Sequence, residues 1–336
     1  PGCGAVVVNA GQAGYYRTLY GDAQFAALGK EFARLDPIDQ LGVMNDTWAL
    51  GLAGLRPASD YLDLARQVPA DADPAIWADI AGSLSGIDSY LKGNDAAQKR
   101  FQAYARGVLQ PVFAKIGWNA KADDSAPVQL LRTTLIGTLA GLEDEAVIAE
   151  ARRRFAAGPD DASAMPPALC SLITGIVANK ADAATWDKLH AMARAEKTPL
   201  IKNQLYGLLG IAEDKALGQR ALQLALTDEP GATNSGGMIG AVAGQHPDMA
   251  FDFAVDHRAR IETLIDASSQ ARYYPGLGGG SSDRAMIGKL RAFAEAHIPA
   301  SARNATETSI ANIEYRLKVR EQRMPAIVAW LQKHGG

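Results

Sequence analysis

From about residue 22 onward apolar residues recur at helical spacing, three or four positions apart, with charged residues on the opposite side. Ile310, Ile313, Leu317 and Met324 form one such stripe, and Glu307, Glu314, Lys318 and Glu321 lie largely off it. Leu217, Ala221, Leu224 and Ala225 form another. The pattern predicts helices over roughly 22–35, 37–53, 58–68, 74–92, 95–116, 126–141, 143–157, 167–179, 182–195, 199–210, 213–227, 236–244, 247–266, 282–297, 304–323 and 325–334. Asp36-Pro37 and Asp73-Pro74 mark helix starts, where a carboxylate caps free N–H groups and proline has none to lose. Gly54, Gly93, Gly117 and Gly158 follow apolar stretches as left-handed C-terminal caps would. Pro111 is expected to kink the fifth helix.

Short helices joined by short turns over some 300 residues predict an all-α chain: an irregular HEAT-like α-solenoid of stacked antiparallel helix pairs, curved, with a concave face. Two stretches stand apart. VVVNAGQAGYYRTLY, residues 6–20, reads as strand, turn and strand, and is followed by no other strand pattern. A lone strand pair with open edges is unstable, so its partner strands are expected upstream. SSQARYYPGLGGGSSDR, residues 268–284, reads as a loop. It is either a connector ending in Ser282 or Asp283 as a helix cap, or a binding loop presenting Arg272, Tyr273 and Tyr274.

Composition narrows the function classes. The chain has 336 residues, 48% hydrophobic and 21% charged, which is ordinary for a folded protein and excludes general disorder. A net charge of −3 lacks the basic footprint of a nucleic-acid binder. The densest basic run, Arg152-Arg153-Arg154, follows Glu143, Asp144, Glu145 and Glu150, a distribution that suits a solvated helix face. Cys3 and Cys170 are too few for a disulfide framework and favour a reducing compartment. No apolar run is long enough for a transmembrane helix, so no membrane partner is expected. The sequence opens at Pro1 without an initiator Met or a signal pattern, which leaves any targeting segment upstream and the compartment open.

Local catalytic motifs are missing. No His-Glu-x-x-His occurs, and His190, His246, His257, His297 and His334 never reach the spacing that sets two imidazoles on one metal. GSLSG at 82–86 has Leu84 where a nucleophile elbow needs serine. Gly288-Lys289 lacks the first glycine and the Ser or Thr of a phosphate loop, and GLGGGS at 276–281 lacks both the third glycine and a preceding strand. Cys170, between apolar neighbours in PALCSLITGIV, reads as a small buried hydrophobe, and the five tryptophans read as core.

The first stretch, followed by a helix and then DQLGVMNDTWALGLAG at 39–54, resembles the junction between the β-sandwich and the C-terminal helical domain of M1-family zinc aminopeptidases, the puromycin-sensitive and ERAP-like group. The resemblance rests on Asn9, Gly14, Tyr15, Tyr16, Arg17 and Tyr20, then on Asn45, Asp46, Leu50 and Gly54, and loosely on AIVAWL at 326–331. Thr18 stands where a valine is common, and PGLGGGSSDR is richer in glycine than the animal members. The resemblance implies that zinc, its ligands and the catalytic residues belong to an upstream domain, so the chain itself carries no catalytic residue and no cofactor. It also implies two partners: the preceding catalytic and β-sandwich domains of the same polypeptide, and a peptide whose distal part the helical domain contacts.

The expected organisation is therefore residues 1–20 as the last strands of an upstream sandwich and 21–336 as the helical domain. Arg272, Tyr273 and Tyr274 are the candidate peptide contacts. Two other readings stay open on the residues alone. One is a free-standing helical scaffold that binds a protein, and the other a hydrolase whose site is built from residues distant in sequence.

Overall fold

The protein is described by a computed structural model covering residues 5–158 and 161–334. Pro1 and Cys3 lie outside the described residues. The helices are α1 (Asp22–Glu31), α2 (Pro37–Ala53), α3 (Asp60–Ala65), α4 (Pro74–Leu91), α5 (Asp95–Ile116), α6 (Ala126–Gly141), α7 (Glu145–Ala157), α8 (Pro167–Asn179) and α9 (Ala183–Ala195). They continue as α10 (Pro199–Leu209), α11 (Lys215–Ala225), α12 (Ala232–Gln245), α13 (Pro247–Asp256), α14 (Arg258–Ile261), α15 (Ala267–Gly278), α16 (Ala285–His297), α17 (Asn304–Gln322) and α18 (Met324–His334).

Among the described residues no strand forms, so the chain is all-α and the short β remnant expected at its start is corrected. Residues 6–20 instead hold a 3-10 turn at Ala10–Gln12, and Gly11 and Gln12 have φ of 73° and 52°. Those dihedrals fit the turn of the expected strand-turn-strand, and the flanking residues stay irregular because no neighbouring strand among the described residues offers them hydrogen bonds.

Two compact units are present, Pro1–Val147 with Lys318–Gly336, and Ile148–Leu317. In the first, α4 packs on α5 and α6, α2 on α3 and α4, and α18 on α5 and α4. Ile76, Ile80, Leu84 and Ile87 line one face of α4 and are fully buried. That spacing is why the segment is helical and which face it buries. Asp73 caps α4 by accepting the Ala75 N–H at 2.8 Å, whereas the Asp36 side chain makes no such bond although Pro37 opens α2. Pro111 sits inside α5, which runs unbroken. Gly54 ends α2 with φ 82°, and Arg323 donates to the exposed carbonyls of Leu52 and Ala53 there, at 3.1 and 3.3 Å. The guanidinium thus meets the negative end of the helix dipole. Gly93 and Gly117 also take positive φ, but Gly158 does not; its missing Cβ makes room for Met165 instead.

In the second unit the stacking logic is visible in contacts between next-but-one helices. The α10 helix touches α8 and α12, and α12 touches α15, while α9 and α11 cover α10 and α12 as their partners. Each added hairpin buries the face left open by the one before it, which is how a solenoid grows. Gly210, at the end of α10, permits a close approach, since a Cβ there would lie 2.7 Å from the Met238 carbonyl oxygen. The turn after α10 is held from three sides: Leu209 O accepts Trp186 Nε1–H at 3.0 Å, Ile211 O accepts Asn179 Nδ2–H at 2.9 Å, and His246 Nε2 lies 3.0 Å from Ala212 O. The stripes at Ile310, Ile313 and Leu317 and at Leu217, Ala221 and Ala225 are buried, and Leu224 is half-buried.

The basic run on α7 is spent internally. Arg152 donates to Lys180 O at 2.6 Å, and Arg153 and Arg154 both pair with Glu150 at 2.7 Å. The Arg153 hydrogen bond, opposed by partial burial and reinforced by Arg154, holds the Glu150 carboxyl at about 2. A depressed carboxyl stabilises above its unfolded value and loses that contribution as pH falls through its folded value. Glu150→Gln should therefore cost about 1 kcal/mol near neutral pH. The gap from wild type should close between about pH 4 and pH 2, as read by urea unfolding at stepped pH; a gap that persists at the acid end would contradict this.

Candidate functional site

The segment before α1 is tied to α2 by side chains rather than by a sheet. Asn9, almost fully buried, closes the turn on itself: Oδ1 accepts Gly14 N–H at 2.8 Å and Nδ2 donates to Gly14 O at 2.9 Å. A Cβ on Gly14 would sit 2.2 Å from the Tyr16 ring and 3.0 Å from Asn9 Oδ1, so a side chain there would have to displace the ring. The buried Asp46 carboxylate then accepts Arg17 Nη1–H at 3.1 Å and Thr18 N–H at 2.9 Å. Asp39, nearer the start of α2, accepts Gly11 N–H at 2.7 Å. The Tyr20 hydroxyl closes the far side by accepting Val8 N–H at 3.0 Å.

This cluster unites Asn9, Gly14, Arg17, Tyr20 and Asp46, all named from the sequence. Tyr15 and Tyr16 remain exposed, and so does Asn45, which the cluster does not include. Gln12, Asp39 and Gly42 belong to it and were missed. The Gln12 amide lies over Gly42, where a Cβ would come within 2.0 Å of it. The signal was available: Asp39, Gly42 and Asp46 are spaced three and four apart and so share one helix face.

Residues 267–278 are helix α15, which corrects the loop reading, and Pro275 lies within it. Tyr274 is fully buried, with its ring 4.7 Å from Phe293. Burial, then the nearby Glu262 carboxylate, pushes its hydroxyl up to about 12. The Tyr273 hydroxyl donates to Gly236 O at 3.0 Å. Both tyrosines are thus packing groups, and only Arg272 is exposed, with one hydrogen bond to Ser269 Oγ at 3.1 Å. Asp283 does cap the start of α16, accepting Ala285 N–H at 2.9 Å.

Among the described residues no three His, Cys, Asp or Glu side chains are grouped to hold a metal. The zinc implied by the resemblance therefore has no fitting ligand set here. The histidines serve packing and capping: His190 Nε2 lies 2.5 Å from Glu229 Oε1, His257 Nδ1 lies 2.9 Å from Phe253 O, and Arg258 donates to His297 Nδ1 at 2.9 Å. No helix among the described residues is long and apolar enough to cross a membrane.

The second unit also contains a cleft of about 1000 Å³, bounded by α8, the end of α9, α10 and Ala241 of α12. Cys170 stands on its wall and is exposed, which corrects its reading as a buried hydrophobe. The Leu169 and Ile173 side chains take the inward face of α8 and turn position 170 outward.

Comparison with known proteins agrees with this anatomy. A family model described as the ERAP1-like C-terminal domain matches residues 5–315. Aminopeptidase 2 of Candida albicans is 30% identical over 193 residues, covering 56% of this chain and 21% of that protein. Aminopeptidase M1 of Arabidopsis thaliana is 27% identical over 235 residues, covering 68% of this chain and 27% of that protein. Aminopeptidase M1-C of Oryza sativa subsp. japonica is 26% identical over 275 residues, covering 79% of this chain and 31% of that protein. The match spans about a fifth to a third of the length of these relatives.

Proposed function

We propose a function from one premise, that the chain belongs to the ERAP1-like C-terminal domain family. It serves as the C-terminal helical domain of an M1-family zinc aminopeptidase, an enzyme that removes residues from the N-termini of peptides. Zinc and the bond-breaking groups reside in a preceding domain of the same polypeptide. The helical domain covers that site, limits which substrates enter, and contacts the distal part of the peptide. Excluding water and folded proteins while admitting peptides is work a helical cover performs without chemistry of its own.

The observation that carries this reading is the knot around Asn9 and Asp46. It holds residues 5–20 firmly on α2 while leaving Val6, Val8, Tyr15, Tyr16 and Leu19 half or more exposed. A row of exposed apolar side chains on a rigidly held segment suits docking against another domain. We assign residues 1–20 to the junction with a preceding β-sandwich domain, against which these exposed apolar side chains would pack. Arg272, exposed on α15, is the cation assigned to a peptide's far end.

The test compares this chain with the polypeptide extended upstream through its expected catalytic domain, using aminoacyl anilides with and without zinc. The extended protein should turn over substrate and the chain alone should not. Arg272→Ala in the extended protein should weaken long peptides and leave anilides unchanged. Zinc-dependent turnover by the chain alone would overturn the reading.

A further inference from the structure

The cleft beside α10 belongs neither to the junction nor to the helix that carries Arg272. Its volume, about 1000 Å³, is at the upper end of the range for small-molecule sites. The walls are aliphatic, with Leu205, Leu208 and Ile211 inside and Ile201 and Met192 at the rim. Leu200, Ile201 and Met192 expose 68%, 44% and 39% of their surfaces, an apolar edge that water disfavours.

Two charged residues line it, and they are not equivalent. The Glu196 carboxylate is already committed: its Oε1 accepts the N–H groups of Lys197 and Thr198 at 2.8 and 2.7 Å, just before α10 begins. Those bonds, the one from Thr198 foremost, lower its pKa despite the opposing effect of desolvation. Its charge is further balanced by the positive end of α10. The Lys197 ammonium, by contrast, has no ion pair among the described residues. The neutral polar groups on the wall are Ser171, Thr174 and Gln204, of which the Thr174 hydroxyl donates to Cys170 O at 2.8 Å. What remains is an aliphatic trough with one uncommitted cation at its mouth.

We propose that this cleft binds an anionic amphiphile: an unbranched aliphatic chain along Leu205, Leu208 and Ile211, with its carboxylate on Lys197. The exposed Cys170 thiol on the wall reports occupancy. The experiment uses the full chain carrying Cys3→Ser, so that Cys170 is the sole thiol. Alkylation of Cys170 by iodoacetamide is followed against dodecanoate, dodecylamine and an apolar decapeptide, each below its aggregation threshold, with binding measured in parallel by calorimetry. Dodecanoate should bind saturably and slow alkylation about fivefold or more; dodecylamine should bind about tenfold more weakly, the loss expected for one charge-assisted bond. Lys197→Glu should reverse that order, and Lys197→Arg should retain it. Equal binding of amine and acid, protection only above the aggregation threshold, or protection by the peptide and not by dodecanoate would each overturn the proposal. None of these outcomes depends on whether the extended protein is a peptidase.

Discussion

Trp186→Ala is expected to destabilise the second unit by about 3–5 kcal/mol, the range for deleting a buried large aromatic. The indole is 2% exposed, its ring lies 5.2 Å from that of His190, and the Arg220 guanidinium sits 4.2 Å above it. Its Nε1–H also satisfies Leu209 O, one of the carbonyls left open where α10 ends. Two effects are therefore superposed, and Trp186→Phe separates them. Phenylalanine keeps most of the apolar volume but strands the carbonyl, which should cost about 1–2 kcal/mol. Hydrogen exchange should show loss of protection confined to the end of α10 in both variants, with the Glu213 amide still protected, because Asn179 and His246 hold the remainder of that turn. A loss below about 1 kcal/mol for alanine would mean that the α9–α10 contact survives on backbone packing alone.

The helices that sequence periodicity located best are those whose buried faces are continuous. The α2 and α5 helices begin and end where expected, because Pro37 and Asn94 start them and Gly54 and Gly117 stop them. The α15 helix was hidden for a physical reason. Pro275 and the glycines at 276 and 278–280 are unfavourable in an isolated helix, so local preference argued for a loop. Tertiary packing reverses that preference: Tyr274, Leu277 and Gly278 are buried, and a Cβ on Gly278 would lie 2.9 Å from Met286 Sδ. Gly278 and Gly279 are there for close approach, to Met286 and Ser309, which composition cannot distinguish from flexibility. The stretch at 6–20 failed in the opposite direction. Its turn forms, closed by Asn9 and with positive φ at Gly11 and Gln12, but the β-branched residues beside it make no strand because side-chain bonds to α2, and not a sheet, hold the segment.

The candidate site was legible where a motif names residues that meet, and illegible where a neighbour's role is to be absent. Asn9, Arg17 and Asp46 could be named because they belong to the motifs on which the family resemblance rests. Gly42 could not, since its contribution is the room it leaves for Gln12. The cleft at α10 was equally invisible: it is assembled from α8, α9, α10 and α12, far apart in sequence, and its lining residues look individually like ordinary core.

The other large effect concerns Asp46, the residue on which the junction depends. Asp46→Ala should cost about 2–3 kcal/mol, because it leaves the Thr18 N–H without its partner and removes the anion facing Arg17. The share of each bond follows from exposure. Arg17 is 56% exposed on its side chain against 9% for Asp46, so their ion pair is screened and Arg17→Ala should cost less than about 1 kcal/mol. The backbone bond to Thr18 then supplies most of the difference, and Asp46→Asn, which keeps an acceptor, should fall between the two alanine variants. Protection of the amides at Gly14 and Thr18 against hydrogen exchange is the specific readout. Both should be lost in Asp46→Ala while the amides of α4 stay protected, since the core of that helix is untouched. Equal losses for Arg17→Ala and Asp46→Ala would show that the charge pair, and not the capped backbone, anchors the segment. The docking reading would then need a junction that weakens with salt, which the capped geometry argues against.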